Sequence, residues 1–177
     1  MSLATFSLRL AKDDIFRCLL SLISQECEIK YLITLNIWRS DWESCSEKIK
    51  KFVEDNQIEV ILTDKNYTTH NKYLGSMLKY KGLGIPFILV DDDQVYRKDM
   101  VELLYATHKK HPSAIVGGFV RILAFDKEHR FSRPFGEYPF LLSGSGEIFG
   151  YCVRTFGCGG ALYPKKFVDL ITQELVD

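Results

Sequence analysis

The chain has 177 residues, of which 46% are hydrophobic, and its 23 basic side chains balance 23 acidic ones. This size and composition suit one globular domain and exclude a wholly disordered chain. Zero formal net charge removes the usual electrostatic argument for a nucleic-acid binder, so no nucleic-acid partner is expected, although a local basic patch is compatible with this balance. Five cysteines without a C-x-x-C pair indicate reduced thiols. No signal peptide and no apolar run of ~20 residues is evident, so we expect a cytoplasmic protein, at most peripheral to the inner membrane.

Strand-like and helix-like patterns alternate along most of the chain. Short apolar runs predict strands at 3–8, 30–37, 58–63, 86–90 and 113–125, the last as one strand or as two joined at the Gly-Gly. Apolar residues at three- and four-residue spacing predict helices at 13–25, 41–56, 70–82, 97–111 and 164–177. This alternation predicts a three-layer α/β/α sandwich around a mostly parallel, Rossmann-like mixed sheet.

Three of these helices carry end signals. Asp41 is expected to cap the second helix, Gly82 to close the third, and Pro164 to open the last at its first position. Between residues 126 and 163 the sequence is rich in glycine, aromatic residues and arginine and has no helical period. We expect an irregular region there, lying over one face of the sheet.

Three consecutive carboxylates, Asp91 to Asp93, follow the predicted strand 86–90. Ligands bind at the carboxyl ends of strands in open α/β sheets. On an extended backbone Asp91 and Asp93 face one side and Asp92 faces away. Two such carboxylates form a hard-oxygen site for Mg²⁺ or Mn²⁺, with diphosphate oxygens as natural further ligands. The alternative is a solvated acidic turn before the next helix, and the triplet alone does not decide between them.

Two further features have both a binding and a packing interpretation. Glycines 157, 159 and 160 allow the backbone to approach a ligand closely, but they also suit a tight turn packed against the sheet. Trp38 and Trp42, after the second strand, could stack on a base or a sugar, although core packing is the simpler interpretation.

Four short motifs in chain order resemble those of the family-A (GT-A fold) nucleotide-sugar-dependent glycosyltransferases, in particular the bacterial family-2-like members. They are "TFSLRL" at 5–10, "NKYLG" at 71–75, "VDDDQVY" at 90–96 and "GCGGALYP" at 157–164. The third is similar to the family's D-x-D motif and the fourth to its acceptor-side glycine motif. The first departs from the family pattern at Ser7 and Leu8, where proline and serine are frequent.

The resemblance implies a GT-A fold of the spore-coat nucleotide-sugar transferase type in a single domain over 1–177. Residues 1–96 would form the nucleotide-sugar-binding half and 97–177 an incomplete acceptor-side half. The implied activity moves a sugar from a nucleoside-diphosphate sugar, with a UDP-sugar as the expected donor. The implied acceptor is a saccharide or lipid-linked glycan in bacterial surface polysaccharide synthesis.

The resemblance also implies roles for individual residues. A bound Mn²⁺ or Mg²⁺ would be held by Asp91 and Asp93, with Asp93 as the direct ligand. Gly159 and Gly160 would shape the floor beneath donor sugar and acceptor. The nucleotide would be contacted by Thr5, Arg9, Lys72, Asp91 and Asp92.

The general base is the part of this implied mechanism that the sequence does not supply. Inverting members of the family use an Asp or Glu beyond the glycine motif, where this chain has only Asp169, Glu174 and Asp177. None resembles the family's acidic pair, so we expect the base beyond Asp177, in a chain truncated at its C-terminus, or no base at all.

Two alternatives follow. One is a catalytically weak or inactive nucleotide-sugar-binding protein, which binds donor and transfers poorly. The other is a nucleotidyltransferase, which shares the acidic metal site. That class carries a glycine-rich signature after the first strand, and "SLRLAKDD", at 7–14, lacks the glycines.

Overall fold

A computed structural model describes residues 1–10, 14–122 and 157–171, together with 128, 134, 137, 140–142 and 153–155. The strands are β1 (Ser2–Ala4), β2 (Thr34–Trp38), β3 (Glu59–Thr63), β4 (Phe87–Leu89), β5 (Val116–Gly117), β6 (Phe119–Ile122), β7 (Phe140–Leu142), β8 (Val153–Thr155) and β9 (Ala161–Tyr163). The α-helices are α1 (Ser7–Leu10), α2 (Asp14–Ile23), α3 (Arg39–Glu43), α4 (Glu47–Asp55), α5 (Asn71–Tyr80), α6 (Met100–Lys110) and α7 (Lys165–Asp169). Among the described residues, 3₁₀ turns span Thr68–His70 and Gly157–Gly159.

The predicted α/β fold with a mixed sheet is confirmed. Six strands form one sheet in the order β3-β2-β1-β4-β9-β5, and three form a smaller sheet in the order β7-β6-β8. β1 pairs in parallel with β2 and β4, and β2 pairs in parallel with β3. β9 runs antiparallel to both of its neighbours, β4 and β5. The architecture is compatible with a Rossmann-like sandwich.

Helices cover both faces of the larger sheet, because successive residues of β4 pack alternately into two different core clusters. Ile88 and Val90 belong to a core cluster that also contains buried residues of α2, α4 and α6. Phe87 and Leu89 belong to a second cluster, with residues of α5 and α7. Since successive strand residues point to opposite faces, the two clusters lie on opposite sides of the sheet.

Two predicted elements near the N-terminal end are wrong in extent. The first strand ends at Ala4 instead of 8, because the chain turns into α1, where the amide of Arg9 donates to the carbonyl of Phe6 (3.0 Å). The predicted helix 41–56 is two helices, broken between Glu43 and Glu47. Asp41 therefore lies inside α3 and caps no helix.

The region expected to be irregular contains a strand of the main sheet. The "ALY" segment after the glycines is β9, which lies between β4 and β5. The predicted strand 113–125 is two strands, β5 and β6, which belong to different sheets. Pro164 takes the N-cap position of α7 with extended backbone (ψ 157°), and residues 172–177 of the predicted last helix lie outside the described residues. Within the described residues, no helix combines the length and apolar character needed to cross a membrane.

Candidate functional site

A cleft opens where the order of the strands reverses. From β1 the chain adds β2 and β3 on one side, then crosses over and places β4 on the other side of β1. In open α/β sheets the carboxyl ends of strands at such a reversal form a crevice that binds ligands. Here the crevice has a volume of about 550 Å³.

The cleft has one end with both signs of charge and an opposite wall that is polar and partly aromatic. The residues of the charged end follow β1, begin α5 and follow β4, and they include every nucleotide- or metal-binding residue that the sequence predicted. These are Thr5, Arg9, Lys72, Asp91, Asp92 and Asp93. The opposite wall, after β2 and β3, is formed by Trp38, Asp41, Asn66, Thr68 and Asn71. Apart from Trp38, the sequence predicted none of these wall residues as binding residues: Asn66 and Thr68 lie in the connection between β3 and α5, which has no periodic pattern, and Asp41 and Asn71 belong to helices.

Two cations hold the three carboxylates. Arg9 Nη1 lies 2.8 Å from Asp92 Oδ1 and 2.7 Å from Asp93 Oδ2. Lys72 Nζ forms an ion pair with Asp91 Oδ1. The expectation that Asp91 and Asp93 face one side and Asp92 the other is wrong in this arrangement. Because β4 ends at Leu89 and the chain turns at residues 92 and 93, the extended alternation does not apply.

The backbone at the start of the triplet is fixed by buried neighbours. The Tyr96 hydroxyl accepts a hydrogen bond from the Asp91 amide (2.7 Å) and donates to the Asp91 carbonyl (3.1 Å). Cys18 Sγ also lies 3.4 Å from that carbonyl. Burial raises the pKa of Tyr96, so the phenol stays protonated as a donor. Tyr96 ends the D-x-D motif, but the sequence did not predict its structural role.

The carboxylates differ in their acidity. Burial raises the pKa of Asp92, although Thr5 and Arg9 favour its charged form. Burial also disfavours the charged form of Asp93, but hydrogen bonds from Arg9 and Gln94 outweigh it and hold the pKa below its ordinary value. The hydrogen bond with Asp93 in turn raises the pKa of the Arg9 guanidinium. When all five groups are ionised, three negative and two positive charges give the charged end of the cleft a net charge of −1.

Two polar atoms at this end are buried and incompletely bonded. Thr5 is 5% exposed, and neither its Oγ1 nor Asp92 Oδ2 completes a hydrogen bond within the described part of the chain. A buried polar atom without a partner costs about 1–3 kcal/mol. Such atoms beside an open cleft indicate groups that a ligand would satisfy.

Lys72 reaches the cleft because a buried polar network holds α5 against the sheet. Ser2 Oγ donates to the Lys72 carbonyl, Asn36 Nδ2 donates to Ser2 Oγ (2.8 Å), and Ser76 Oγ donates to Asn36 Oδ1 (2.8 Å). A Cβ added to Gly75 would lie 2.7 Å from Asn36 Oδ1, so the glycine permits this approach. Sequence reasoning missed the network, although a polar Asn36 inside the apolar run "LITLNIW" was a signal for it.

The glycine motif lies next to the acidic triplet. Leu89 of β4 pairs antiparallel with Ala161 of β9, so the residues before β9 lie beside those that follow β4. Gly160 has φ +75°, and a Cβ there would lie 2.5 Å from Met100 Sδ. A Cβ on Gly159 would meet the backbone between β5 and β6. Neither glycine is among the described residues that line the cleft, and close packing accounts for both; their acceptor-side role stays a prediction.

Of the predicted candidates for a base, only Asp169 is described. Its Oδ1 accepts a hydrogen bond from the amide of Gly82 (3.4 Å), in the connection that precedes β4. This places Asp169 at the amino edge of the parallel strands, opposite the cleft. Glu174 and Asp177 lie outside the described residues, and a base beyond Asp177 stays a prediction.

The charged end fits a divalent cation in its chemistry. Carboxylate oxygens are the ligands that Mg²⁺ and Mn²⁺ prefer, and Asp92 Oδ2 is a buried carboxylate oxygen without a partner in the described ranges. No three His, Cys, Asp or Glu side chains among the described residues converge as a metal-binding group. Since Arg9 and Lys72 already engage the triplet, a cation would bind by taking over carboxylate oxygens from these partners.

Comparison with known proteins adds no family to this description. No protein-family model matches the chain, and no curated protein matches it. The cleft and the motifs that line it are therefore the features that indicate a function.

Proposed function

We propose that the chain is a GT-A-type glycosyltransferase domain. It would bind a nucleoside-diphosphate sugar and a divalent cation in the cleft and transfer the sugar to a saccharide or lipid-linked glycan. The proposal depends on one observation: the acidic triplet forms ion pairs with Arg9 and Lys72 at the strand-order reversal. A diphosphate with its cation needs both signs of charge within a few ångströms, and this end of the cleft supplies both.

The opposite wall suits a nucleoside. Trp38 offers an aromatic surface for a base, and Asp41 and Asn66 offer polar groups for its edge. A carboxylate accepts from a ring N–H, which uracil and guanine carry and cytosine and adenine lack at the corresponding position. This chemistry favours a UDP- or GDP-sugar as donor. The cleft volume of about 550 Å³ is in the ordinary range for a small-molecule site.

The residues of the charged end would act on the leaving group. When bound, Mg²⁺ or Mn²⁺ supplies Lewis-acid stabilisation of the departing nucleoside diphosphate. Asp91 and Asp93 would hold the ion, with Asp93, the more exposed of the two, as the direct ligand. Lys72 and Arg9 would donate to phosphate oxygens and stabilise the negative charge that develops there.

Calorimetry with UDP, GDP and CDP, each with and without Mn²⁺, tests the proposal. We expect UDP or GDP to bind only with Mn²⁺, and Asp93→Ala to weaken that binding by about tenfold or more, as for loss of a charged contact. Asp55→Ala is the matched control, because Asp55 is exposed at the end of α4, by the amino edge of the sheet. Nucleotide binding that depends on neither Mn²⁺ nor Asp93, or no binding at all, would count against the proposal.

A radiolabelled sugar-transfer assay separates the remaining alternatives. Donor binding with no transfer to any offered glycan would favour the inactive nucleotide-sugar-binding protein. Release of pyrophosphate from a nucleoside triphosphate and a sugar phosphate would favour the nucleotidyltransferase. Transfer that is lost in Asp93→Ala and kept in Asp55→Ala would favour the glycosyltransferase.

A further inference from the structure

The Arg9 guanidinium occupies the space between two carboxylates of the triplet. A single nitrogen, Nη1, lies 2.8 Å from Asp92 Oδ1 and 2.7 Å from Asp93 Oδ2. One positive group therefore neutralises two negative ones, and one of these is Asp93, the carboxylate proposed as the direct ligand of the ion. An ion bound at Asp93 would repel the guanidinium and compete with it for this carboxylate.

We infer that Arg9 is an internal counter-cation that a divalent ion displaces, and that the displaced guanidinium then binds the donor diphosphate. The ion and the diphosphate consequently bind cooperatively. This inference rests on the proposed function, because it assigns an order and a coupling to the two ligands of that site. This role of Arg9 goes beyond the contact with the nucleotide that the resemblance implies.

The charges at this end of the cleft favour such coupling. The triplet carries −3 and Arg9 with Lys72 carries +2, so a free diphosphate meets a net charge of −1. A divalent ion brings the same set of groups to +1, which attracts the diphosphate. The diphosphate in turn gives the displaced guanidinium a new partner. Each ligand removes an obstacle to the other, and such coupling is reciprocal in binding free energy.

The Arg9-bridged arrangement is itself incompletely satisfied. Thr5 Oγ1 and Asp92 Oδ2 are buried, and although the Thr5 hydroxyl lies close enough to Asp92 to favour its charged form, neither atom completes a hydrogen bond in the part of the chain that the structure describes. Thr5 is 95% buried on the cleft side of the triplet, so the guanidinium neutralises the carboxylates without completing the site. An ion with its coordinated water would offer these two oxygens both a positive charge and donors.

Arg9 also has room to move. Its side chain is one third exposed, and it lies on α1, a helix of a single turn. It lines the cleft and also a second cavity of about 230 Å³, on the side of Asp14 and Ile15. The guanidinium carbon lies 5.6 Å from the centre of the Phe6 ring, an aromatic face at the rim of the cleft. We therefore expect a change of side-chain rotamer to carry the charge from the triplet towards the cleft.

Two titrations on one set of variants test the inference. Mn²⁺ alone is titrated by electron paramagnetic resonance, and UDP is titrated at saturating Mn²⁺ by calorimetry. The variants are Arg9→Met, Arg9→Lys and the control Arg39→Met, whose arginine forms an exposed 2.8 Å pair with Asp64. We expect Arg9→Met to bind Mn²⁺ about fivefold more tightly or better, and to bind UDP roughly tenfold more weakly. Arg9→Lys should fall between wild type and Arg9→Met, and Arg39→Met should match wild type.

The opposite signs of the two changes make the outcomes distinguishable. Equal affinity of wild type and Arg9→Met for Mn²⁺ overturns the displacement, while the proposed function stands if UDP binding still needs the ion. Tighter Mn²⁺ binding with unchanged UDP affinity overturns the transfer of Arg9 to the diphosphate. Absence of Mn²⁺ and UDP binding in a folded wild-type protein overturns the proposed function together with the inference. Urea unfolding of each variant identifies any loss of affinity that comes from loss of fold.

Discussion

Replacing Asn36 by alanine should destabilise the protein by about 3 kcal/mol. Asn36 is fully buried on β2, and its amide group makes three hydrogen bonds: it donates to Ser2 Oγ (2.8 Å) and the Leu3 carbonyl (3.1 Å), and accepts from Ser76 Oγ (2.8 Å). At about 1 kcal/mol for each bond, their loss amounts to about 3 kcal/mol. The void left by the amide adds to this cost.

Urea unfolding at fixed pH measures this loss, and Asn56→Ala is the matched control. The Asn56 amide makes one bond, to the Phe52 carbonyl (2.8 Å), at the half-buried end of α4, so about 1 kcal/mol or less is expected. Asn36→Ala should also weaken UDP binding under native conditions, because the network holds the α5 turn that carries Lys72. A loss below about 1 kcal/mol in Asn36→Ala, equal to that of the control, would refute the idea that this network fixes α5 to the sheet.

Two further predictions concern the glycine motif and the pH dependence of stability. Gly160→Ala should cost more than Gly82→Ala in urea unfolding, by roughly 1–3 kcal/mol. Both have positive φ (+75° and +84°), but only at Gly160 does the added methyl meet Met100 Sδ, at 2.5 Å; equal losses would contradict this. The lowered pKa of Asp93 means that the unfolded chain binds its proton more readily. The free energy of unfolding should thus decrease as the pH falls below about 3.8, the pKa of this carboxyl group in the unfolded chain, towards its lower pKa in the folded protein. Asp93→Asn should make that decrease less steep. An unchanged pH dependence in Asp93→Asn would argue against the Arg9–Asp93 pair.

Much of the fold follows from patterns that are local in the sequence. The amphipathic spacing in α2 and the apolar run of β4 identify a helix and a strand to within two or three residues. Alternation of such elements predicts the mixed sheet with helices on both faces. The failures are local as well: Ser44 and Ser46 sit in a helical pattern that they interrupt, and only the extended backbone at Ser46 (ψ 146°) distinguishes two helices from one.

The position of β9 could not be predicted from its own residues. Three residues, Ala161–Tyr163, after a glycine-rich segment are consistent with either a turn or a strand. Their place depends on pairing with β4, more than 70 residues earlier in the sequence, and such non-local pairing leaves no periodic signal. The same limit applies to the buried network of Ser2, Asn36 and Ser76, which joins three separate elements.

The sequence predicted which residues lie at the charged end of the cleft, but it did not predict how they are arranged. Every residue assigned to nucleotide or metal lines one cleft, because the ends of β1 and β4 and the start of α5 meet at the strand-order reversal. Which carboxylate faces which cation depends on the turn at Asp92 and Asp93, and a periodic rule for strands cannot supply it. Arg9 as a bridge between these two acids became apparent only in three dimensions.

The two interpretations of the glycine motif are compatible once the register of β9 is known. Packing against Met100 explains why Gly160 lacks a side chain, whereas the pairing of Leu89 with Ala161 explains why the motif lies beside the triplet. Its influence on the site is then indirect, through the position of the backbone next to Asp91. A substitution at Gly160 should reduce ligand binding in proportion to the stability that it removes. Arg9→Met should instead change ligand binding without a matching change in the free energy of unfolding, and this contrast separates residues that shape the cleft from residues that bind in it.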